Sequence, residues 1–158
     1  MSSVRPASDG DVELLVRWHA DPEVSRYWDD ETFTADEMRA RLAREDVDSY
    51  VVEADGEPVG YIQAWWEDDE PRRGGIDMFL VPSARGRGLG PDAARALTEG
   101  LLASGWTRVT VDPYASNERA IRAWRNAGFV LVDGRERAPD EDHAEPWLLM
   151  EFRPAQSA

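Results

Sequence analysis

The stretch that most constrains this chain runs from Gly75 to Leu101. It begins G-I-D-M-F-L-V, in which Ile76, Met78 and Leu80 alternate with Asp77, Phe79 and Val81. That period of two predicts a strand. It continues P-S-A-R-G-R-G-L-G, with three glycines in five residues. It ends P-D-A-A-R-A-L-T-E-G-L, where Ala94, Leu97 and Leu101 recur at helical spacing. Pro91 suits the first turn of that helix, and Asp92 suits the positive end of its dipole. Strand, glycine loop and helix in this order present several backbone N–H groups to an anion. The lysine of a G-x-x-x-x-G-K-[ST] phosphate loop is missing, since the chain contains no lysine. The G-x-G-x-x-G spacing fails as well. A plain turn with incidental glycines is the competing reading of the loop alone.

A second pattern follows. After Gly105 the periodicity predicts a strand near Arg108 to Val111, closed by Asp112. Then Y-A-S-N-E-R-A-I-R-A-W-R-N-A-G-F spans 114–129. Ser116 is a candidate helix cap, Ala120, Ile121, Trp124 and Ala127 share one helical face, and Gly128 ends the helix. Taken with the first stretch, this resembles the GCN5-related N-acetyltransferases. Their acetyl-CoA loop reads Q/R-x-x-G-x-G/A between a strand and a helix, matched by Arg85, Gly88 and Gly90. Their second signature, N-x-x-A-x-x-x-[YF]-x-x-x-G-F, is matched by Asn117, Ala120, Gly128 and Phe129. Trp124 stands where the family has Tyr or Phe.

Composition narrows the alternatives. At 158 residues the chain is expected to form a single domain, 1–158, with its own core. No signal-like segment opens it and no apolar run approaches membrane length, so a soluble, cytoplasmic protein without a membrane partner is expected. Without cysteine, thiolate chemistry is excluded. His19 and His143, the two histidines, are far apart in sequence, and no metal site is expected. A net charge of −14 argues against nucleic acid and fits a cationic small-molecule amine. Acidity that serves only solubility is the competing account. No interface signature is visible, and a monomer is the favoured reading.

The remaining elements follow in order. Ser2–Pro6 reads as a strand, and residues 9–20 as a helix with Val12, Leu15 and Val16 on its apolar face. His19 is read as packed or solvated. Pro22 breaks that helix. Tyr27 and Trp28 then stand beside Asp29, Asp30 and Glu31. Thr34 with Glu37 makes a capping box, opening a helix to about Arg44. Strands at 49–54 and 58–66 join at Asp55-Gly56, a hairpin signal. Residues 67–75 read as a polar, structure-breaking loop. A strand near 129–133, an acid-rich loop and a strand at 147–152 finish the chain.

The resemblance implies an α+β fold: a mixed, mostly antiparallel sheet of about six to seven strands flanked by about four helices. Its fourth and fifth strands, here roughly 76–81 and 107–112, would splay to admit acetyl-CoA. Backbone groups of Phe79, Leu80 and Val81 would meet the pantetheine arm. The loop Arg85, Gly86, Arg87, Gly88, Leu89 and Gly90 would hold the pyrophosphate. Asn117 would bond the arm, and Trp124 would line the cofactor site. The reaction implied is acyl transfer from a thioester to an amine, in which a carboxylate removes the amine's proton. Asp77 is the first base candidate, because a charge interrupting an apolar strand needs a partner or a task. Asp112 is the second, as base or anchor. Tyr114 is the candidate general acid, since an indole at 124 cannot donate a proton; the thiolate leaving unaided is the other possibility.

Four segments together carry a narrower resemblance: Y-W-D-D at 27–30, G-E-P-V-G-Y-I-Q at 56–63, G-I-D-M-F-L at 75–80 and V-D-P-Y-A-S-N-E-R-A-I-R-A-W at 111–124. They are similar to the aminoglycoside 6′-N-acetyltransferases of the Ib-type branch. That resemblance implies an acceptor wall of Trp28, Asp29, Gln63, Asp77, Asp112 and an acid of the C-terminal loop, Asp140 or Asp142. A core role for Trp28 is the alternative. Other amines (a siderophore precursor, a polyamine, a peptide N-terminus) and a non-catalytic acetyl-CoA-binding module are the competing functions.

Overall fold

A computed structural model describes residues 2–26, 28, 31–69 and 71–153. Its centre is a seven-stranded sheet in the order β1-β2-β3-β4-β5-β7-β6. The strands are β1 (Ser2–Pro6), β2 (Val47–Ala54), β3 (Glu57–Asp69), β4 (Arg72–Leu80), β5 (Arg108–Val111), β6 (Phe129–Leu131) and β7 (Met150–Phe152). The helices are α1 (Val12–Ala20), α2 (Pro22–Ser25), α3 (Ala35–Leu42), α4 (Leu89–Ala103) and α5 (Glu118–Ala127). All neighbours pair antiparallel except β4 and β5, which run parallel.

That parallel pair positions the site. β4 and β5 pair at Arg73–Arg108, Gly74–Val109 and Gly75–Thr110, and no further. β4 continues to Leu80 against β3, while the end of β5 turns its hydrogen bonds towards β7. A gap therefore opens beyond Gly75, as the family resemblance implied.

Alternation along β4 sorts its side chains between two layers. Ile76, Met78 and Leu80 face α4 and α5, with Ile62, Ala94, Leu97, Trp124 and Phe129. Phe79 faces the α1–α3 layer, among Leu15, Trp28, Met38 and Tyr61. Asp77 shares the Phe79 side by period. It therefore points into the layer that holds the aromatic cluster.

Several boundaries differ from the sequence reading. The helix expected over 9–20 is a 3-10 turn, Asp9–Asp11, followed by α1, because Asp11 folds back to accept from the Ser8 N–H and Arg5. Pro22 starts a helix as well as ending one: it sits in the first turn of α2, capped by Asp21. The Thr34–Glu37 capping box is present, but α3 stops at Leu42. Of the stretch read as a structure-breaking loop, residues 67–69 and 72–75 are strand. β3 runs through Asp69 and β4 starts at Arg72, with Arg72 stacked 4.1 Å over Trp66. The last strand begins at Met150 rather than 147, and β6 stops at Leu131. No described helix is long and apolar enough to cross a membrane.

Candidate active site

The loop between β4 and α4 is built by its glycines. Gly86 and Gly88 have φ of 76° and 75°, a region that L side chains rarely adopt. Gly90 serves packing instead: a Cβ there would lie 3.2 Å from Met78 Cε and 3.3 Å from Leu80 Cδ1. Among the described residues no acceptor takes the N–H groups of Gly86, Gly88, Leu89 or Gly90. These donors and the fifteen-residue helix α4 behind them form an anion cradle. Open backbone amides at positive-φ glycines suit a pyrophosphate, so the residues present fit acetyl-CoA. Arg85 differs from expectation. Its guanidinium donates to Leu80 O at 3.2 Å and Glu23 O at 2.8 Å, tying the loop to β4 and α2. Val81 likewise gives its N–H to Val59 O, and the Phe79 ring lies in the aromatic cluster.

Beyond the parting of β4 and β5 lies a cleft of about 840 Å³. Its lining brings together Trp28, Gln63, Asp77, Asp112, Tyr114, Asn117, Trp124, Asp140 and Asp142, which are spread over more than a hundred residues of sequence. Asp29 lies outside the described residues. Trp28 belongs to both readings weighed for it. It is buried, edge-on to His19, Tyr61 and Phe79, and it also lines the cleft.

Asp77 sits at the inner end of a polar relay. Gln63 Nε2 donates to Asp77 Oδ2 at 3.0 Å. The orientation of that amide is fixed, because Gln63 Oε1 accepts from Arg41 Nε, Arg41 Nη2 and the Tyr61 hydroxyl at 3.1, 2.8 and 3.2 Å. Ser49 Oγ lies 2.9 Å from the same hydroxyl. Burial, and after it the nearby Asp112 carboxylate, push Asp77 up to about 7, against the opposing pull of Gln63, Arg41 and Trp65.

Asp112 is held by a residue that sequence reasoning left aside. His143 Nε2 lies 2.7 Å from Asp112 Oδ2, and His143 Nδ1 lies 2.7 Å from Asp140 Oδ1. The imidazole stacks on Trp147 with centroids 4.0 Å apart and 8° between planes. Tyr114 stands edge-on to it, and its hydroxyl accepts from Ala144 N at 3.3 Å. The signal for His143 was a histidine three residues after Asp140 in an acid-rich loop. The signal for Arg41 was weaker, a basic residue late in an amphipathic helix.

The other predicted contacts fall on α5. Asn117 caps the helix, its Oδ1 accepting from Ala120 N at 3.1 Å, the role assigned to Ser116 from sequence. Ser116 instead donates to Glu145 Oε1. Trp124 is buried against Phe129 at one wall of the cleft.

A splayed parallel pair, a glycine cradle at a helix N-terminus and a paired-acid cleft define an acyl-CoA-dependent transferase. Residues 7–136 match the acetyltransferase (GNAT) domain, and the chain belongs to that family. It is 32% identical over 157 residues to aminoglycoside N(6′)-acetyltransferase type 1 of Klebsiella pneumoniae, covering 87% of this chain and 78% of the relative. It is 26% identical over 134 residues to spermidine N(1)-acetyltransferase of Escherichia coli K12, covering 81% and 72%. Among solved structures, the aminoglycoside acetyltransferase AAC(6′)-Ib in complex with coenzyme A and kanamycin superposes with a TM-score of 0.80 at 28% identity, covering 96% of this chain and 94% of that one.

Proposed function

We propose that the protein transfers the acetyl group of acetyl-CoA to the 6′-amine of an aminoglycoside, with Asp77 as the general base. The observation that carries this reading is that Asp77 and Asp112 together line a cleft where β4 and β5 part, with burial pushing Asp77 up to about 7. Bound acetyl-CoA supplies the activated acetyl thioester; the Gly86–Gly90 amides would hold its pyrophosphate. Asn117 and Trp124 would line its arm. An aminoglycoside amine is mostly ammonium near neutrality and must lose a proton before it can attack. A carboxylate with a pKa near the working pH is suited to take it. Asp112 and Asp140 would hold neighbouring ammonium groups of the acceptor, and Trp28 with Gln63 would form the wall. Asp77 would take the one proton that frees the ammonium for attack; the second amine proton, released as the C–N bond replaces the C–S bond, would end on the departing thiolate, so that ammonium and thioester give amide, thiol and one proton. A thiol of pKa roughly 8.5 makes that departure easy without Trp124 or Tyr114 as acid.

The spermidine-acetylating relative gives the alternative acceptor, a linear polyamine. Free-thiol release from acetyl-CoA separates them, using kanamycin, tobramycin, a 6′-hydroxyl aminoglycoside, spermidine and an N-terminal peptide. Turnover of the 6′-amino drugs with none of the 6′-hydroxyl analogue is the expected result. Turnover of spermidine alone would replace the aminoglycoside reading.

A further inference from the structure

The Asp112–His143–Asp140 cluster has a geometry that favours a charged ring. Both carboxylates lie 2.7 Å from a ring nitrogen. Ionised carboxylates only accept, so both nitrogens must donate, and the ring that satisfies both is the imidazolium. The surroundings agree. Burial opposes the charge, yet the hydrogen bonds to Asp140 and Asp112 outweigh it and raise the imidazole above its usual range. Asp140 is correspondingly held below the usual carboxylate range, by its His143 bond first.

The ring is also built into place. Its side chain is 10% exposed. Trp147 covers one face, with the Arg137 guanidinium 5.5 Å from the centroid of that indole. The Asp140 N–H donates to His143 O at 2.9 Å, and the Asp142 N–H donates to Asp140 Oδ1 at 3.0 Å. The loop thus pre-shapes a turn around the histidine. Just after β5 the charged group facing it is Asp112, which itself bears on Asp77. From the loop these are Asp140 and the neighbouring Asp142, and from the segment after β5 it is Tyr114. Asp112 gives Oδ2 to the ring, and among the described residues its Oδ1 accepts no hydrogen bond.

We propose that His143 is a positioning residue of the acceptor site: a cationic staple that draws the 133–149 loop onto the end of β5 and presents Asp112 and Asp140 to a polycationic acceptor. It fixes one oxygen of Asp112 and leaves the other for an acceptor ammonium. Without the ring's charge the two carboxylates repel each other and the loop loses its anchor. A neutral imidazole donates from one nitrogen only and turns a lone pair towards the other carboxylate. Acceptor affinity therefore falls as the staple deprotonates, whereas the glycine loop, which does not line the cleft, is unaffected. The acceptor part of this inference rests on the function proposed above; the staple itself does not.

Two measurements test it and separate those parts. Nitrogen-15 NMR of the imidazoles is simple to assign, because the chain has two histidines and His143→Gln removes one signal. Both His143 nitrogens protonated at pH 7.5 is expected; a neutral tautomer there would overturn the staple whatever the enzyme acetylates. Steady-state kinetics with acetyl-CoA and kanamycin then compare wild type, His143→Gln and His143→Lys from pH 6 to 8.5. His143→Gln should raise the kanamycin KM about tenfold, with the acetyl-CoA KM within about twofold. His143→Lys, a cation with several donors, should recover most of that loss and flatten the wild-type rise of KM with pH. An unchanged kanamycin KM in His143→Gln, or no recovery by lysine in a folded variant, would refute the positioning role. A wild type inactive on kanamycin with His143 doubly protonated would leave the staple standing and remove the aminoglycoside reading.

Discussion

Two regions, a donor end at the glycine loop and an acceptor end in the cleft, are made of different material. The donor end is backbone: open amides at Gly86 and Gly88, where φ is positive, backed by one helix. The acceptor end is side chain: Arg41 from α3, Gln63 from β3, Asp77 from β4, Asp112 after β5 and His143 from a loop. Backbone donors recognise an anion common to every acyl-CoA, and they need nothing from distant sequence. Side chains gathered from five places would suit one acceptor, and each depends on the others for orientation. A single substitution at the donor end should therefore weaken the cofactor alone. One at the acceptor end should propagate along the relay.

The largest effect is expected at Asp77. Asp77→Asn keeps the shape and a group that can accept from Gln63 Nε2, but removes the base. kcat should fall by roughly 10²–10³, while acetyl-CoA affinity persists. The same variant tests the burial argument. A folded pKa raised to about 7 from 3.8 means that the protonated acid stabilises the fold. That contribution is complete below about pH 4 and is lost as pH rises through 7. Asp77→Asn should therefore raise Tm more at pH 8 than at pH 5, by about 2–4 °C at pH 8. A variant that is inactive and also less stable at pH 8 would show Asp77 to be a structural partner instead of a strained base.

This contrast also explains what was legible in sequence. The donor end could be read because its determinants are local: glycines at fixed offsets between a strand and a helix, and a second helix ending at Gly128. Asp77 and Asp112 were legible as acids at strand positions where the family resemblance placed chemistry. Gln63 was read as wall, but its task of aiming a donor at Asp77 depends on Arg41 and Tyr61, which no spacing links to it. His143 was missed because its meaning requires Asp112, thirty-one residues away, to meet it across the cleft. The β3–β4 hairpin was read as a loop because its acids and arginines mask the strand period, although Arg72 over Trp66 shows how such a charged ribbon packs.

Gly88→Val comes next and should strike the donor end alone. In the free protein a Cβ at Gly88 meets nothing within 4 Å, so the strain is conformational, about 1–2 kcal/mol. The larger effect is on acetyl-CoA, whose Kd should rise at least about tenfold as the side chain crowds the cradle. Gly90→Ala is the control: the atoms it meets are ends of Met78 and Leu80 side chains, which can yield. Equal losses in the two variants by titration calorimetry would deny the cradle its role.

Arg41→Met tests whether the acceptor end is a relay. The change keeps much of the stem packed near Trp28 and Phe33 but removes both donors to Gln63. Gln63 is then free to turn, and the cation that lowers the Asp77 pKa is gone. kcat/KM for the acceptor should fall about tenfold, and the acid limb of its pH profile should move to higher pH. A fall with no movement of that limb would mean that Arg41 holds the wall without tuning the base.

The smallest effect is the most diagnostic of how the two layers were assembled. His19 is fully buried among Trp28, Phe33, Tyr61 and Phe79, and neither ring nitrogen makes a well-aligned hydrogen bond among the described residues, the Glu31 backbone being the nearest weak partner. Burial, with the Arg41 charge behind it, lowers its pKa to about 4. The neutral ring therefore stabilises the fold fully above about pH 6.5, and that contribution is lost as pH falls through 4. His19→Phe should gain about 1 kcal/mol near neutrality by removing poorly paired polar atoms, roughly 3 °C in Tm. The gain should widen below pH 6, where the unfolded wild type binds a proton that the folded ring, buried beside a guanidinium, does not. Because His19 supports the wall through Trp28 without reaching the chemistry, kcat should change little. A catalytic loss comparable to that of Arg41→Met would extend the relay into the aromatic cluster, and the boundary between core and acceptor wall would have to be redrawn one layer deeper.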